Sequence, residues 1–409
     1  MRKNRNLTWT IEDRLLLSCC RNDGEERIKD RILEAKNTGI DWDKFLSKAR
    51  DNRVKSFVYH NLREKEIVSQ MIPSGVVEDL QTTFYLDAAN NTLLFKELGE
   101  ILKSLKKCRL EVIVLKGAAL ATFVYENLAL RTMSDVDILV KAEDLLHVDE
   151  QLQKLGYSPL DLSAEDVDFS SAYLTTLDYY NPSRKSFPIH VHWHFVNSTV
   201  PNDSYTRCIV LEHIWDEAEK VVIGGEETLV MSPHHFLIHL SEHALRVRHS
   251  LGKWIYFCDI DAVIHHYEGR VDWSRLIHES CEFNLDKMVY ISLFFTREFF
   301  NTKIPEDVLL KLRPKKIGFG IKIFMSSVRN NTRLSGLSYL VHLSMNRGII
   351  NKVRFLWRTL FPPRKILAQR NYVSPSGSIS IYYLKRIKEV FSRISNILKI
   401  RRSVFPEDK

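Results

Sequence analysis

Two aspartates one residue apart, Asp135 and Asp137 in the run DVDILV, are the residues of this chain best placed to do chemistry. On a strand, alternate side chains share a face with Cα atoms about 7 Å apart, so both carboxylates point the same way and can share divalent cations. A pair of cations roughly 3.5–4 Å apart lowers the pKa of an attacking hydroxyl and neutralises charge on phosphoryl oxygens. Hard oxygen ligands favour Mg2+ or Mn2+ over zinc. A lone D-x-D is more often a solvated strand end, so its surroundings decide. Val136, Ile138 and Val140 are expected to face the core and fix the register, leaving the acid face open. Upstream, Lys116-Gly117-Ala118-Ala119 ends the apolar run EVIVL and opens a helix. Gly117 permits close backbone approach, N–H groups at a helix start hold phosphate oxygens, and Lys116 adds positive charge. Arg131 and Ser134, just before the acids, are further candidates for binding a nucleotide, with an ordinary loop arginine as the plainer reading of Arg131.

The elements that must position these residues follow from pattern. The first hundred residues read as helices: Thr10 with Asp13 makes a capping box ahead of LLLSCC, Asp41-Trp42 opens another helix, and a long periodic segment runs from about Val76 to Lys107. EVIVL, DVDILV, SAYLTTLDYY and FPIHVHWHFV read as strands, with a helix from Glu143 to Leu155 between the second and third. A further hairpin turns at Gly224-Gly225. Ser232-Pro233 then forms a helix-start pair, and amphipathic helix continues to about Asn346.

The 409 residues are 44% apolar and 27% charged, ordinary values for a globular protein. No window approaches the roughly 18 uninterrupted apolar residues of a membrane span, and the N-terminus lacks the pattern of a secretory signal, so a cytoplasmic location is expected. Six scattered cysteines without a CxxC pair suggest reduced thiols rather than a zinc ribbon or disulfide framework. The net charge of +8 is misleading, because residues 351–402 carry thirteen Lys and Arg against the single acid Glu389. Residues 1–350 sum to −3, so the body has no basic stripe demanding a polyanion. Ser378 to Arg402 reads as a basic amphipathic helix, packed on the helical domain or laid on an anionic surface or acidic partner.

The run VLKGAALATFVYENLALRTMSDVDILV resembles the signature of the polymerase-β-like nucleotidyltransferase superfamily. More narrowly, the chain resembles the bacterial uncharacterised nucleotidyltransferase family, whose members show an L-K-G turn, an R-x-x-x-D-h-D-h-L-V strand, a later acid-h-H-W strand and a helical C-terminal half. The likeness spans most of residues 10 to 365, including HVHW, SPHHFLIHLSEHALRVRHS and DIDAVIHHYEGRVDW. It implies an α+β fold: a small mixed-sheet polymerase-β-like core at 91–231, between an N-terminal helical region at 1–90 and a C-terminal helical domain at 232–346, with a basic helical tail at 347–409. It further implies transfer of a nucleotidyl group, AMP from ATP above all, to an acceptor hydroxyl or phosphate with release of pyrophosphate. Asp135 and Asp137 would bind Mg2+ or Mn2+, while Lys116, Gly117 and Ala118, with Arg131 and Ser134, hold the nucleotide. A sugar phosphate, a small molecule, a peptide and a tRNA end all remain open as acceptor.

One departure bears on activity. Two residues before His192-Trp193 the family pattern has an acid, and this chain has His190. A histidine can ligate Mn2+ or act as a base, but it cannot bridge Mg2+ as a carboxylate does, so a degenerate nucleotide-binding protein is the alternative reading. Strand alternation puts Ile189, Val191, Trp193 and Phe195 on one face and His190, His192 and His194 on the other, with a partly solvated sheet surface as the plain account of the histidines. Asp178, on the strand expected to pair with this one, supplies an acid if the hairpin register sets it opposite His190, and His192 is a supporting candidate. His239-Leu240-Ser241-Glu242-His243 matches H-x-x-E-H, an inverted zinc-protease pattern implying a hydrolase. A histidine-rich helix face lining a cleft or packing on tryptophan accounts for it better, and His234, His235 and His249 read as surface or interdomain residues.

Overall fold

The computed structural model describes residues 9–21, 25–63, 71–160, 164–167, 175–183, 187–196, 208–245, 252–331, 337–364, 367 and 378–404. His249 and the start of SAYLTT lie outside them. At the N-terminal end the expected caps are present. Thr10 and Asp13 cap each other reciprocally at the start of α1 (Ile11–Cys20). α2 (Glu25–Asn37) follows, and Asp41 accepts the Lys44 N–H at 3.0 Å to start α3 (Trp42–Asp51). α4 (Lys55–Arg63) leads to α5 (Ser74–Lys107), whose buried stripe runs Val76, Leu80, Phe84, Asp87, Asn91, Leu94, Leu98 and onward. That spacing of three and four residues marks one helix face.

The second region is a mixed sheet of seven strands among the described residues: β1 (Ile113–Val114), β2 (Val136–Leu139), β3 (Ser158–Pro159), β4 (Thr176–Tyr180), β5 (Ile189–His192), β6 (Glu219–Ile223) and β7 (Glu226–Val230). Their spatial order is β3-β4-β5-β2-β1-β7-β6. β2 runs parallel to β5, and β1 parallel to β7, while the other neighbours are antiparallel. The hairpin turning at Gly224-Gly225 thus extends the same sheet. Lys116, in the left-handed region at φ 48°, ends β1 and turns the chain into α6 (Lys116–Ala119), which widens into a π-turn at Leu120–Val124. A 3-10 turn at Ala142–Asp144 and α7 (Leu145–Lys154) fill the helix expected after β2. The long helix meets the sheet where Gly99 of α5 touches Gly224: a Cβ on Gly99 would lie 2.2 Å from the Gly224 carbonyl oxygen.

The C-terminal half is helical, as expected. α8 (Leu211–Asp216) precedes β6, and after β7 come α9 (Pro233–Ala244), α10 (Trp254–His266), α11 (Trp273–Glu282), α12 (Asp286–Phe300), α13 (Glu306–Leu312), α14 (Phe319–Arg329), α15 (Leu337–Met345), α16 (Ile349–Leu360) and α17 (Ile379–Val404). The two helical regions that sequence separates meet in space. Trp9 donates its indole N–H to the Arg329 carbonyl and packs on Trp254 and Phe299, and Asn331 donates to Asp13 at 2.8 Å. α17 rests on the end of α16, with Tyr383 donating to the Pro362 carbonyl at 2.8 Å and Arg386 to that of Thr359 at 2.6 Å. Ile349, Ile350, Val353 and Trp357 of α16, and Ile381, Leu384 and Phe391 of α17, stay exposed. Among the described residues no helix is long and apolar enough to cross a membrane, and the six cysteines form no disulfide.

Candidate active site

Three adjacent strands bring the proposed chemistry into one row. Parallel pairing sets Asp137 beside His190, and antiparallel pairing sets Asp178 beside His190 on the other side. The register that places Asp178 opposite His190 is therefore the one present. His190 Nδ1 lies 3.5 Å from both Asp135 Oδ2 and Asp137 Oδ1, and its Nε2 lies 3.8 Å from Asp178 Oδ1. Lys116 Nζ donates to Asp137 Oδ1 at 2.6 Å, and His192 Nε2 approaches the same oxygen at 2.7 Å. Val136, Ile138 and Val140 are buried as expected, but the acid face is not open: Asp137 itself is buried and its inner oxygen is enclosed. Lys116, in the left-handed region, lays its side chain on Asp137 instead of in solvent. Ser134 is exposed at the turn, and Asp135 is half-buried.

The charges divide by depth. Burial works against ionised Asp137, yet the Lys116 ammonium and the hydrogen bonds from His190 and His192 hold it well below the usual carboxylate range. Burial and the neighbouring Asp137 charge push Asp135 up. His190 is pushed up to about 9: burial opposes its charge, but Asp137, Asp178 and Asp135 outweigh it. Burial and the Lys116 charge take His192 the other way, to about 3. A neutral His192 donates Nε2–H to Asp137 and accepts the Thr176 hydroxyl at Nδ1, 2.9 Å away. His190, read as a ligand or a base, holds a proton at neutral pH so long as no cation competes for it, and His192, expected on a partly solvated face, is buried. His194 leaves that face because β5 ends at His192; its Nδ1 accepts the Val196 N–H at 3.1 Å.

A clamped loop delivers Asp135. Asp87 and Asn91, one turn apart on the buried stripe of α5, hold it from one side: Asp87 accepts the Thr132 hydroxyl at 2.7 Å, and Asn91 donates to the Leu128 and Arg131 carbonyls. From the other side Asp259 of α10 accepts the Tyr125 hydroxyl at 3.0 Å and the Arg131 Nε–H on both oxygens at 3.0 Å. Arg131, expected to reach for phosphate, commits Nε to Asp259 and Nη1 to the Thr132 carbonyl, and is buried. Burial raises Asp259 to about 6 against the pull of the guanidinium. The room left by Gly117 is filled by Met133, whose Cγ would lie 3.0 Å from an added Cβ, so the glycine admits this loop's own side chain.

Residues 38–301 match the family described as uncharacterised nucleotidyltransferase. The chain belongs to that family. Comparison with curated proteins returns no match. Among solved structures, an antigenic nucleotidyltransferase-like protein from Paracoccidioides brasiliensis is similar at 13% identity over 53% of this chain and 96% of that one, with a TM-score of 0.33, too remote to carry weight.

In this member of the family the donor set at the row suits a divalent cation. Asp137, His190 and His192 each offer one ligand atom, all within 4.8 Å of one another, with Asp135 adjoining. Carboxylates beside imidazoles suit Mn2+ better than Mg2+, which prefers oxygen alone. The H-x-x-E-H residues form no such group among the described residues. His239 contacts the Phe195 carbonyl at 3.0 Å and His243 packs edge-on against Tyr256, so the helix serves packing. His234 and His235, read as surface or interdomain residues, are buried, facing Glu217 before β6 and Glu279 on α11, which excludes the surface. Asp87, Asn91 and Asp259 escaped the sequence reading, although each is an acid or amide interrupting an otherwise apolar helical stripe.

Proposed function

We propose that the protein transfers a nucleotidyl group, AMP from ATP, to an acceptor hydroxyl in a reaction that depends on Mn2+ or Mg2+, in a polymerase-β-like arrangement of acids on a sheet. The observation that carries this reading is the row Asp137-His190-Asp178 across three strands, with Asp135 beside it. Asp135 and Asp137, with His190 in the third carboxylate's place, would hold the cation. A cation bound there lowers the pKa of the acceptor hydroxyl and neutralises charge on the α-phosphate. Lys116, which donates to Asp137, would be free to turn to the phosphates, near the N–H groups of Gly117 and Ala118, once a cation neutralised that carboxylate. Asp178, the most exposed acid of the row, takes the acceptor's proton as its oxygen bonds to the α-phosphorus and pyrophosphate departs. Ser134 lies at the open edge of the loop, where a nucleotide enters.

Label from α-labelled ATP should pass into components of a cell extract, more with Mn2+ than with Mg2+, and Asp137→Ala should abolish the transfer. Undiminished transfer by Asp137→Ala defeats the assignment. A second reading is favoured by the enclosure of Asp137 by Lys116 and His192: a nucleotide-binding protein without turnover. His190→Asp separates the two, since a large gain in transfer marks a lost activity restored and a loss marks histidine as the working residue. The exposed apolar residues of α16 and α17 among Lys352, Arg354, Lys385 and Arg386 support an anionic surface as the partner of the tail.

A further inference from the structure

We propose that Glu217, His234, His235 and Glu279 form a second site, for a borderline divalent cation such as Zn2+, that pins α9 and α11 to the turn before β6. Glu217 closes α8, the two histidines occupy the first turn of α9, and Glu279 lies on α11. None belongs to the strand row. Glu217, His234 and His235 each place a ligand atom within 4.8 Å of the others. His234 Nε2 is 3.3 Å from Glu217 Oε2 and 3.5 Å from Glu279 Oε2. A tetrahedron with bonds of roughly 2.0–2.1 Å has edges of about 3.3–3.4 Å, so these separations are those of ligands around zinc. Two imidazoles and two carboxylates are also a donor set that zinc accepts.

The outer contacts aim the donors inward. Arg275 binds Oε1 of Glu217 and of Glu279, which leaves both Oε2 atoms facing the histidines. Ser232 Oγ lies 2.8 Å from His235 Nδ1, and an Nδ1–H donated to it puts the lone pair on Nε2. This is the hydroxyl expected to cap α9; it makes no cap hydrogen bond and orients the imidazole instead. His235 Nε2 lies 2.7 Å from Glu279 Oε2. His234 Nε2, His235 Nε2 and Glu279 Oε2 are all buried without a hydrogen-bond partner, and their residues are at most 5% exposed. Three buried polar atoms converge there without a hydrogen-bond partner, and a cation between them would satisfy all three. Glu217, a quarter exposed, provides the way in from solvent.

The test uses the full chain carrying Asp137→Ala and His190→Ala, which removes the competing donors on the sheet. After treatment with EDTA and gel filtration, titration with Co2+ alone should show one equivalent bound, with the visible absorption of a four-coordinate nitrogen–oxygen site, displaced by Zn2+. Zn2+ should also raise the thermal unfolding midpoint of this protein. Adding Glu217→Gln, at the most exposed ligand, should weaken Co2+ binding by more than about tenfold, with folding checked by circular dichroism. Absence of saturable Co2+ uptake by the folded double variant overturns the proposal and assigns the cluster to a protonated His235. Uptake unchanged by Glu217→Gln overturns it equally. Neither result bears on nucleotidyl transfer, which uses other residues.

Discussion

Replacing Lys116 by methionine removes the ammonium from Asp137 while keeping most of the side chain's volume. Both side chains are under a tenth exposed and their charged atoms are 2.6 Å apart. Breaking a buried pair by deleting one partner costs about 3–5 kcal/mol. His192 and His190 still face the carboxylate, which puts the loss at the lower end, about 3 kcal/mol, in metal-free protein. A divalent cation replaces the missing charge, and at a hundredfold excess over its dissociation constant it returns about 2.7 kcal/mol. In the unaltered chain the same cation must first displace Lys116, so it adds less. Urea unfolding of both proteins in EDTA and in Mn2+ should therefore show a gap of about 3 kcal/mol that shrinks to well under half with the metal. A Lys116→Met protein as stable as the original in EDTA, or a gap that Mn2+ leaves unchanged, would refute the argument.

Three further outcomes follow from other residues. His190 has its pKa raised from 6.5 to about 9, so its contribution to stability is whole below pH 6.5 and is lost as pH rises through 9; it amounts to about 3 kcal/mol at most. Metal-free urea midpoints should fall over that range and the fall should flatten in His190→Gln, whereas an equal slope in both proteins would remove His190 as its source. Gly99→Ala forces a methyl against the Gly224 backbone and should destabilise by about 1–3 kcal/mol in thermal unfolding, and a neutral result would show that α5 and the β6–β7 turn can part. The full chain should co-sediment with vesicles containing phosphatidylserine and be released by salt, with Trp357→Ser weakening the binding; equal binding to neutral vesicles would exclude the charge of α17 as the cause.

Sequence pattern made most of the elements readable because each is written locally. The Thr10 and Asp41 caps, the stripe of α5 and the β-branched residues of DVDILV all act within a few positions. Asp178 was legible only as a candidate, because sequence does not fix the hairpin register that sets it opposite His190. What local pattern could not convey is where long side chains end. Lys116 and Arg131 are equally suited to phosphate or to a carboxylate, and the choice rests on Asp137 in one case and on Asp259, 128 residues away, in the other. The histidines show the same limit. His192, His234 and His235 look like surface residues when strand or helix alternation is considered alone, and only the packing of β4, α8 and α11 buries them.

The sheet order bears on how the chain is made. β2, β4 and β5 lie within residues 136–192 and can pair as soon as that stretch has emerged from the ribosome. β1 has β2 on one side, but its other neighbour is β7, and the Thr228 hydroxyl that caps the Val112 carbonyl comes 116 residues later. Such long-range parallel pairing is slow to form. In the interval the apolar Ile113-Val114 edge stands open, a template for another nascent copy. Products cut short before Val230 should therefore aggregate through β1 even though the row of acids and histidine is already complete.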